Sequence, residues 1–141
     1  MNNFFIRTWI DLTQEDNGIL TIKRSEKFEV KKDPNSENGH KTIMMPGDIA
    51  YVWHVTKQRD KEHIPGNGLY CSGIVESVNQ KEIVLKIDAK IGTTPFNDDD
   101  PLMKGSQKGT ELHTNLKRNC HEGYNVISSN VSEILGTYLV S

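Results

Sequence analysis

The chain has only two cysteines in 141 residues, Cys71 and Cys120, far apart and with no CxxC pair. That spacing signals neither a zinc site nor a disulfide framework. No apolar run approaches the roughly 18 residues of a membrane span. The opening MNNFFIRTWIDLT also lacks the charged start and long apolar core of a secretory signal. A soluble, cytoplasmic protein with no membrane partner is the expectation. Neither sign of charge dominates: 17 Lys+Arg against 19 Asp+Glu leave a formal net charge of −2, so no global positive field advertises nucleic acid, although a local patch stays compatible. Hydrophobic residues make up 35%, modest but above the level of a disordered chain. There are no internal repeats, and Asp98-Asp99-Asp100 is the one short biased run. A single domain over residues 1–141 should bury about two-thirds of its unfolded surface, and so need no structural metal.

What is present is mainly a β rhythm. Residues 4–12 predict an opening strand with Trp9 near its end, residues 14–18 (QEDNG) a turn, and residues 19–22 a short strand or helical turn. In residues 23–32, Phe28 and Val30 alternate with charge, the pattern of a half-exposed strand. Residues 33–41 (DPNSENGHK) and 57–67 (KQRDKEHIPGN) read as loops. Residues 82–87 alternate Ile83, Leu85 and Ile87 with charge, which predicts another strand. A Pro-punctuated loop and a short segment at residues 112–116 follow. The persuasive helix comes last: Val131, Ile134, Leu135 and Leu139 fall at helical spacing. Ser128, Ser129 and Asn130 are all competent N-caps, and Asn130 stands three before Glu133 as in a capping box. Asn130-Val-Ser also matches a glycosylation sequon, but a helix start is the better reading without a secretory signal. Five or six strands with Gly/Pro turns and a packing helix predict an α+β fold, a small β-barrel or half-barrel.

The most informative stretch is PGDIAYVWHVT, then a polar loop, then GLYCSGIVESV. Pro46-Gly47-Asp48 is turn chemistry, and residues 49–55 are rich in β-branched and aromatic side chains. Tyr51 and Trp53, two apart, leave the same face of the pleat. Gly73 in the middle of residues 69–78 marks a bulge or a close backbone approach. Paired aromatics opposite a glycine gap could form a slot for a flat ring.

These residues resemble the EVE family, a branch of the PUA-like barrels that also include YTH domains. FFIRTWIDLT is similar to the family's opening strand and its tryptophan. Gly47-Asp48 followed by Tyr51-Val-Trp53-His54 resembles its turn and aromatic strand. The glycine-bearing partner strand looks like Gly68-Leu69-Tyr70-Cys71-Ser72-Gly73-Ile74-Val75, and HEGYNVISSNVSEIL resembles the stretch leading into its closing helix. The likeness spans nearly the whole chain. It departs at Val55, where many members place a small hydroxyl residue. That departure implies a different ligand edge or another donor, His54 or Thr56.

The resemblance implies a PUA-like binding module for a modified base, 5-methylcytosine or a relative, flipped out of DNA or presented in RNA, with a nuclease or other effector as a further partner. Such a pocket must replace lost stacking with aromatic faces and read the ring's edge with fixed polar groups. Trp53 would be the platform, Trp9 a second wall, and Tyr70 or Tyr51 a third. His54, Ser72 or backbone amides near Gly73 would read the edge. Lys57, Arg59 and Lys61 would meet phosphates, with Lys23, Arg24, Lys27, Lys31 and Lys32 as a second basic strip. Each residue also has a structural reading. Tryptophan is highly buried on average, and strand alternation can aim Tyr51 and Trp53 into the core together. A histidine is often simply hydrogen-bonded, a charged loop simply solvated, and the Asp98–Asp100 run a solvated turn.

Rival classes remain open. An ASCH-type hydrolase would carry a Gly-x-Lys-x-x-Glu signature, and a zinc deaminase a His-x-Glu and Cys-x-x-Cys pair; neither is in the sequence. No carboxylate and lysine constellation signals a nuclease. Cys120 and His121 are neighbours, and neighbours along a strand point apart, which argues against a dyad. An interaction domain whose slot takes a small metabolite or a peptide is the other alternative. No cofactor is signalled.

Overall fold

The computed structural model describes residues 1–34, 36–55, 68–97, 100–103, 111–116 and 122–141. Strand β1 (Asn3–Trp9) opens the chain and ends in a 3-10 turn at Ile10–Leu12. Strands β2 (Thr13–Asp16) and β3 (Ile19–Lys23) form a tight hairpin, with Asn17 at φ 51° and Gly18 at φ 79° supplying a two-residue turn of the left-handed kind. A two-residue β4 (Glu29–Val30) precedes the long strands β5 (Ile49–Val55), β6 (Gly68–Val78) and β7 (Glu82–Ile91). Helix α1 (Glu111–Leu116), strand β8 (Gly123–Ile127), helix α2 (Ser129–Gly136) and a short β9 (Leu139–Val140) complete the order.

The fold is mixed α+β, dominated by one nine-stranded sheet. Its strands run β2-β3-β7-β6-β5-β1-β8-β4, with β9 added to β7. β1 lies parallel to β5, with Phe5 opposite Tyr51 and Arg7 opposite Trp53, and antiparallel to β8. The sheet has more strands than the five or six expected of a small barrel or half-barrel, and it is not a closed barrel: the two ends of the path, β2 and β4, do not pair among the described residues. The extra strands are short or polar, so apolar alternation does not mark them.

Other boundaries differ for similar reasons. The opening strand stops at Trp9 rather than residue 12. Of residues 14–18 only Asn17-Gly18 is turn, and Gln14–Asp16 belong to β2. Residues 23–32 yield only the tail of β3 and β4. The strand expected at 82–87 runs on to Ile91. Helix α2 is capped by Ser128, whose Oγ accepts the Val131 N–H at 3.2 Å, so Asn130 sits inside the helix rather than at a capping box. Among the described residues no helix is long and apolar enough to cross a membrane.

Alternation along β1 and β5 buries both faces of the sheet's centre. Phe4, Ile6, Ala50 and Val52 enter one core with Leu20, Ile22, Ile83 and Leu85. Phe5, Tyr51 and Trp53 enter a second core, closed by Leu112 and Leu116 of α1 and by Val131 and Leu135 of α2. Burial on both sides is why these strands read as nearly continuous apolar runs.

Gly73 lies where β6 and β7 press together, at a register shift in their ladder. A Cβ there would stand 2.8 Å from the Lys86 carbonyl oxygen and 3.1 Å from Leu85 Cβ. The glycine gap is therefore filled by β7, not left open to a ligand. Gly73→Ala is expected to cost about 1–3 kcal/mol through overpacking. Urea denaturation checks this, and an unchanged midpoint would show that β7 simply moves aside.

Candidate ligand-binding cleft

Three strands separate β2 from β5 in the sheet order, and in a flat sheet that spacing would put them about 19 Å apart. Instead Thr13 Oγ1 of β2 lies 3.4 Å from His54 Nε2 of β5, and Tyr70 of β6 donates its hydroxyl to Glu15 Oε1 of β2. The sheet therefore curls until its edge hairpin overhangs its middle. Under that overhang is an open cleft of about 530 Å³. Its apolar walls are Ile10, Leu20, Leu69, Ile91, Pro95 and Phe96, and its polar side chains are Thr13, Glu15, His54 and Tyr70. Phe96 reaches the cleft because its carbonyl accepts the Leu69 N–H at 2.8 Å, next to Gly68, where φ is 110° and any Cβ would strike that carbonyl.

The polar groups form one chain of hydrogen bonds. Thr13 donates its hydroxyl to the Ile10 carbonyl at 2.8 Å, so its oxygen is left to accept from His54 Nε2–H. That assigns His54 the Nε2–H tautomer, and its buried Nδ1 has no partner among the described residues. Burial pushes the His54 pKa down to about 4, with the Glu15 charge opposing in part. The imidazole stacks on Tyr70 with centroids 4.5 Å apart and planes 18° from parallel. Glu15 Oε2 accepts from Lys90 Nζ at 2.6 Å. The hydrogen bonds from Lys90 and then Tyr70 hold the Glu15 carboxyl below its usual range. Burial, then the bond to Glu15, raises the Tyr70 phenol. The result is a flat face backed by a neutral ring, beside an ionised carboxylate.

Of the residues the sequence nominates for a ring slot, this cleft unites His54 and Tyr70. Trp53 is placed elsewhere. Its ring is 1% exposed, set edge-on to Phe5 and Phe96 at 5.7 Å each, with the Arg7 guanidinium 5.6 Å from its centroid. It is core, one ring removed from the cleft behind Phe96, because the face it shares with Tyr51 is the one the helices cover. Tyr51 is also core, its hydroxyl 2.7 Å from Ser132 Oγ, which ties β5 to α2. Ser72 is buried opposite Tyr51 in the β5–β6 ladder and does not line the cleft. Trp9 ends β1 half-buried, opposite Val55, and is not among the lining residues either.

Lys57, Arg59, Lys61 and Thr56 lie outside the described residues, as do Cys120 and His121. The second basic strip is not one free face: Lys31 is buried, and Arg24 donates to the Asn79 carbonyl at 2.8 Å while lying 5.0 Å from the Phe28 ring centroid. Asp100 acts in a turn, accepting the Leu102 N–H at 2.9 Å and the Tyr138 hydroxyl at 3.4 Å. Cys71 is buried, and that burial raises its thiol pKa to about 12, the character of an inert thiol. Among the described residues no cluster of His, Cys, Asp and Glu could hold a metal ion.

Glu15, Thr13, Lys90 and Phe96 are missing from the residues the sequence nominates. One signal pointed to the first two: Asn17-Gly18 between Thr13–Asp16 and Ile19–Lys23 is the dipeptide of a two-residue hairpin, which would have put Glu15 on a strand. No protein-family model, curated protein or solved structure matches the chain.

Proposed function

We propose that the chain is a binding module, an opened-out relative of the PUA-like barrels, that takes a flat modified nucleobase of the 5-methylcytosine kind from DNA or RNA into the cleft beside Tyr70. The observation that carries this reading is the Tyr70–His54 stack next to Glu15 under apolar walls. A base leaving its helix needs an aromatic face, a fixed polar group at its edge and room for an added methyl, and the cleft has one of each. Lys57, Arg59 and Lys61 are the proposed phosphate partners. They belong to the segment joining the end of β5, which carries His54, to the start of β6, which carries Tyr70. A small free ligand with a flat ring is the second reading, favoured by the acidic rather than basic group inside the cleft.

Fluorescence titration of short oligonucleotides with and without 5-methylcytosine tests the proposal. Tyr70→Ala is expected to weaken the modified oligonucleotide by about 1–3 kcal/mol, the worth of one stacked base. Tyr70→Phe should retain most of that affinity. Equal binding by Tyr70→Ala and the parent protein would remove the cleft from consideration. Binding of a free nucleoside without salt-sensitive binding of oligonucleotides would favour the small-ligand reading.

A further inference from the structure

A hydrogen count around the cleft shows which kind of ring edge it can satisfy. The Thr13 hydroxyl hydrogen goes to the Ile10 carbonyl, the His54 Nε2–H to Thr13, and the Tyr70 hydroxyl hydrogen to Glu15. Among the described residues, every polar hydrogen on a side chain lining the cleft is thus committed within the protein. What remains is acceptor capacity, chiefly on Glu15. An ionised carboxylate offers about four lone-pair positions and no hydrogen, and here one position on Oε1 serves Tyr70 and one on Oε2 serves Lys90. Each oxygen keeps one position for a ligand.

We infer that Glu15 is the specificity-determining residue of the cleft, and that it selects nitrogen rings carrying an exocyclic amino group over their keto isosteres. The inference rests on the reading of the cleft as a ring-binding site. An amino group placed at Glu15 donates a charge-assisted hydrogen bond. A keto oxygen in the same place meets another acceptor, and among the described residues the lining side chains have no hydrogen left to offer it. Lys90, bonded to Glu15 Oε2 at 2.6 Å and with its side chain 46% exposed, does not line the cleft. Lys90 and Tyr70 are positioning residues: their two bonds fix both carboxylate oxygens and keep the group ionised.

Isothermal titration with three isosteric nucleoside pairs tests this: cytidine and uridine, 5-methylcytidine and 5-methyluridine, adenosine and inosine. The amino member of each pair should bind about tenfold more tightly or better. Glu15→Gln presents both an acceptor and a donor, so it should bring the members of each pair within about threefold, mainly by improving the keto ring. Glu15 lies on an exposed edge strand, so the variant should keep its melting temperature. Equal affinities within the pairs for the parent protein overturn the inference, as does a preference that survives Glu15→Gln. In those cases ring binding itself still stands. If no member of any pair binds, the ring-binding reading falls with it.

Discussion

Trp53→Ala should lower folding stability by roughly 3–5 kcal/mol, the range for removing a large buried aromatic. The ring is the largest fully buried side chain in the structure and joins two elements to β5: β1, through Phe5 and the buried Arg7 guanidinium lying over it, and the loop after β7, through Phe96. Its removal leaves a cavity between the sheet and the helices and takes from Arg7 the ring face it covers. The effect should appear as a lower urea midpoint. Protein that remains folded at low temperature should keep its ring preference, because Trp53 does not line the cleft. Trp53→Phe should recover part of the loss. A variant with a normal midpoint and lost ligand discrimination would instead return Trp53 to the binding site.

Trp53 also shows where sequence reasoning stops. The limits of β5 are the same in sequence and structure because Ile49, Tyr51, Val52, Trp53 and Val55, five of its seven residues, are β-branched or aromatic and include both ends. Alternation also places Tyr51 and Trp53 on one face. It does not tell which face is covered, and here both are, since β5 runs through the sheet's centre with a core on either side. The covering residues come from α1 and α2, about 60 to 80 positions later in the chain, and no local pattern announces them. His54 and Tyr70 were legible as neighbours because their strands pair: His54 stands opposite Gly68, two residues before Tyr70.

Glu15 was not legible in that way. Its strand is Thr-Gln-Glu-Asp, polar throughout, and it exists as a strand because β3 pairs with it across Asn17-Gly18. Its contacts with Tyr70 and Lys90 span 55 and 75 residues and arise from the curl of the sheet. Such a group can be assigned only after the topology is known. The same holds for Gly73, legible as a close approach but not as one made by β7.

His54 should make the protein lose stability in acid, in a window set by its own pKa values. In the folded protein burial holds the imidazole at about 4, against an ordinary 6.5. The native state therefore binds fewer protons than the unfolded chain between those values. Stability is full above about pH 6.5 and falls as pH drops towards 4, and the whole change is worth roughly 3 kcal/mol. Burial lowers the value, and one charged group opposes it. Glu15 favours the imidazolium, but its pull is smaller than the effect of burial. Carboxylates elsewhere also titrate in this range, so the comparison that isolates the effect is His54→Phe, which keeps a flat ring against Tyr70 without a titrating nitrogen. The parent protein should lose about 3 kcal/mol more than His54→Phe between pH 7 and pH 4 in urea denaturation. The His54 ring resonances of the folded protein should stay those of a neutral imidazole until close to pH 4. A ring that titrates near 6.5 in the native state would mean water or an anion reaches it. With a neutral His54 behind Tyr70, ring affinity should stay flat from about pH 5.5 to 8, because the stacking face carries the same charge throughout.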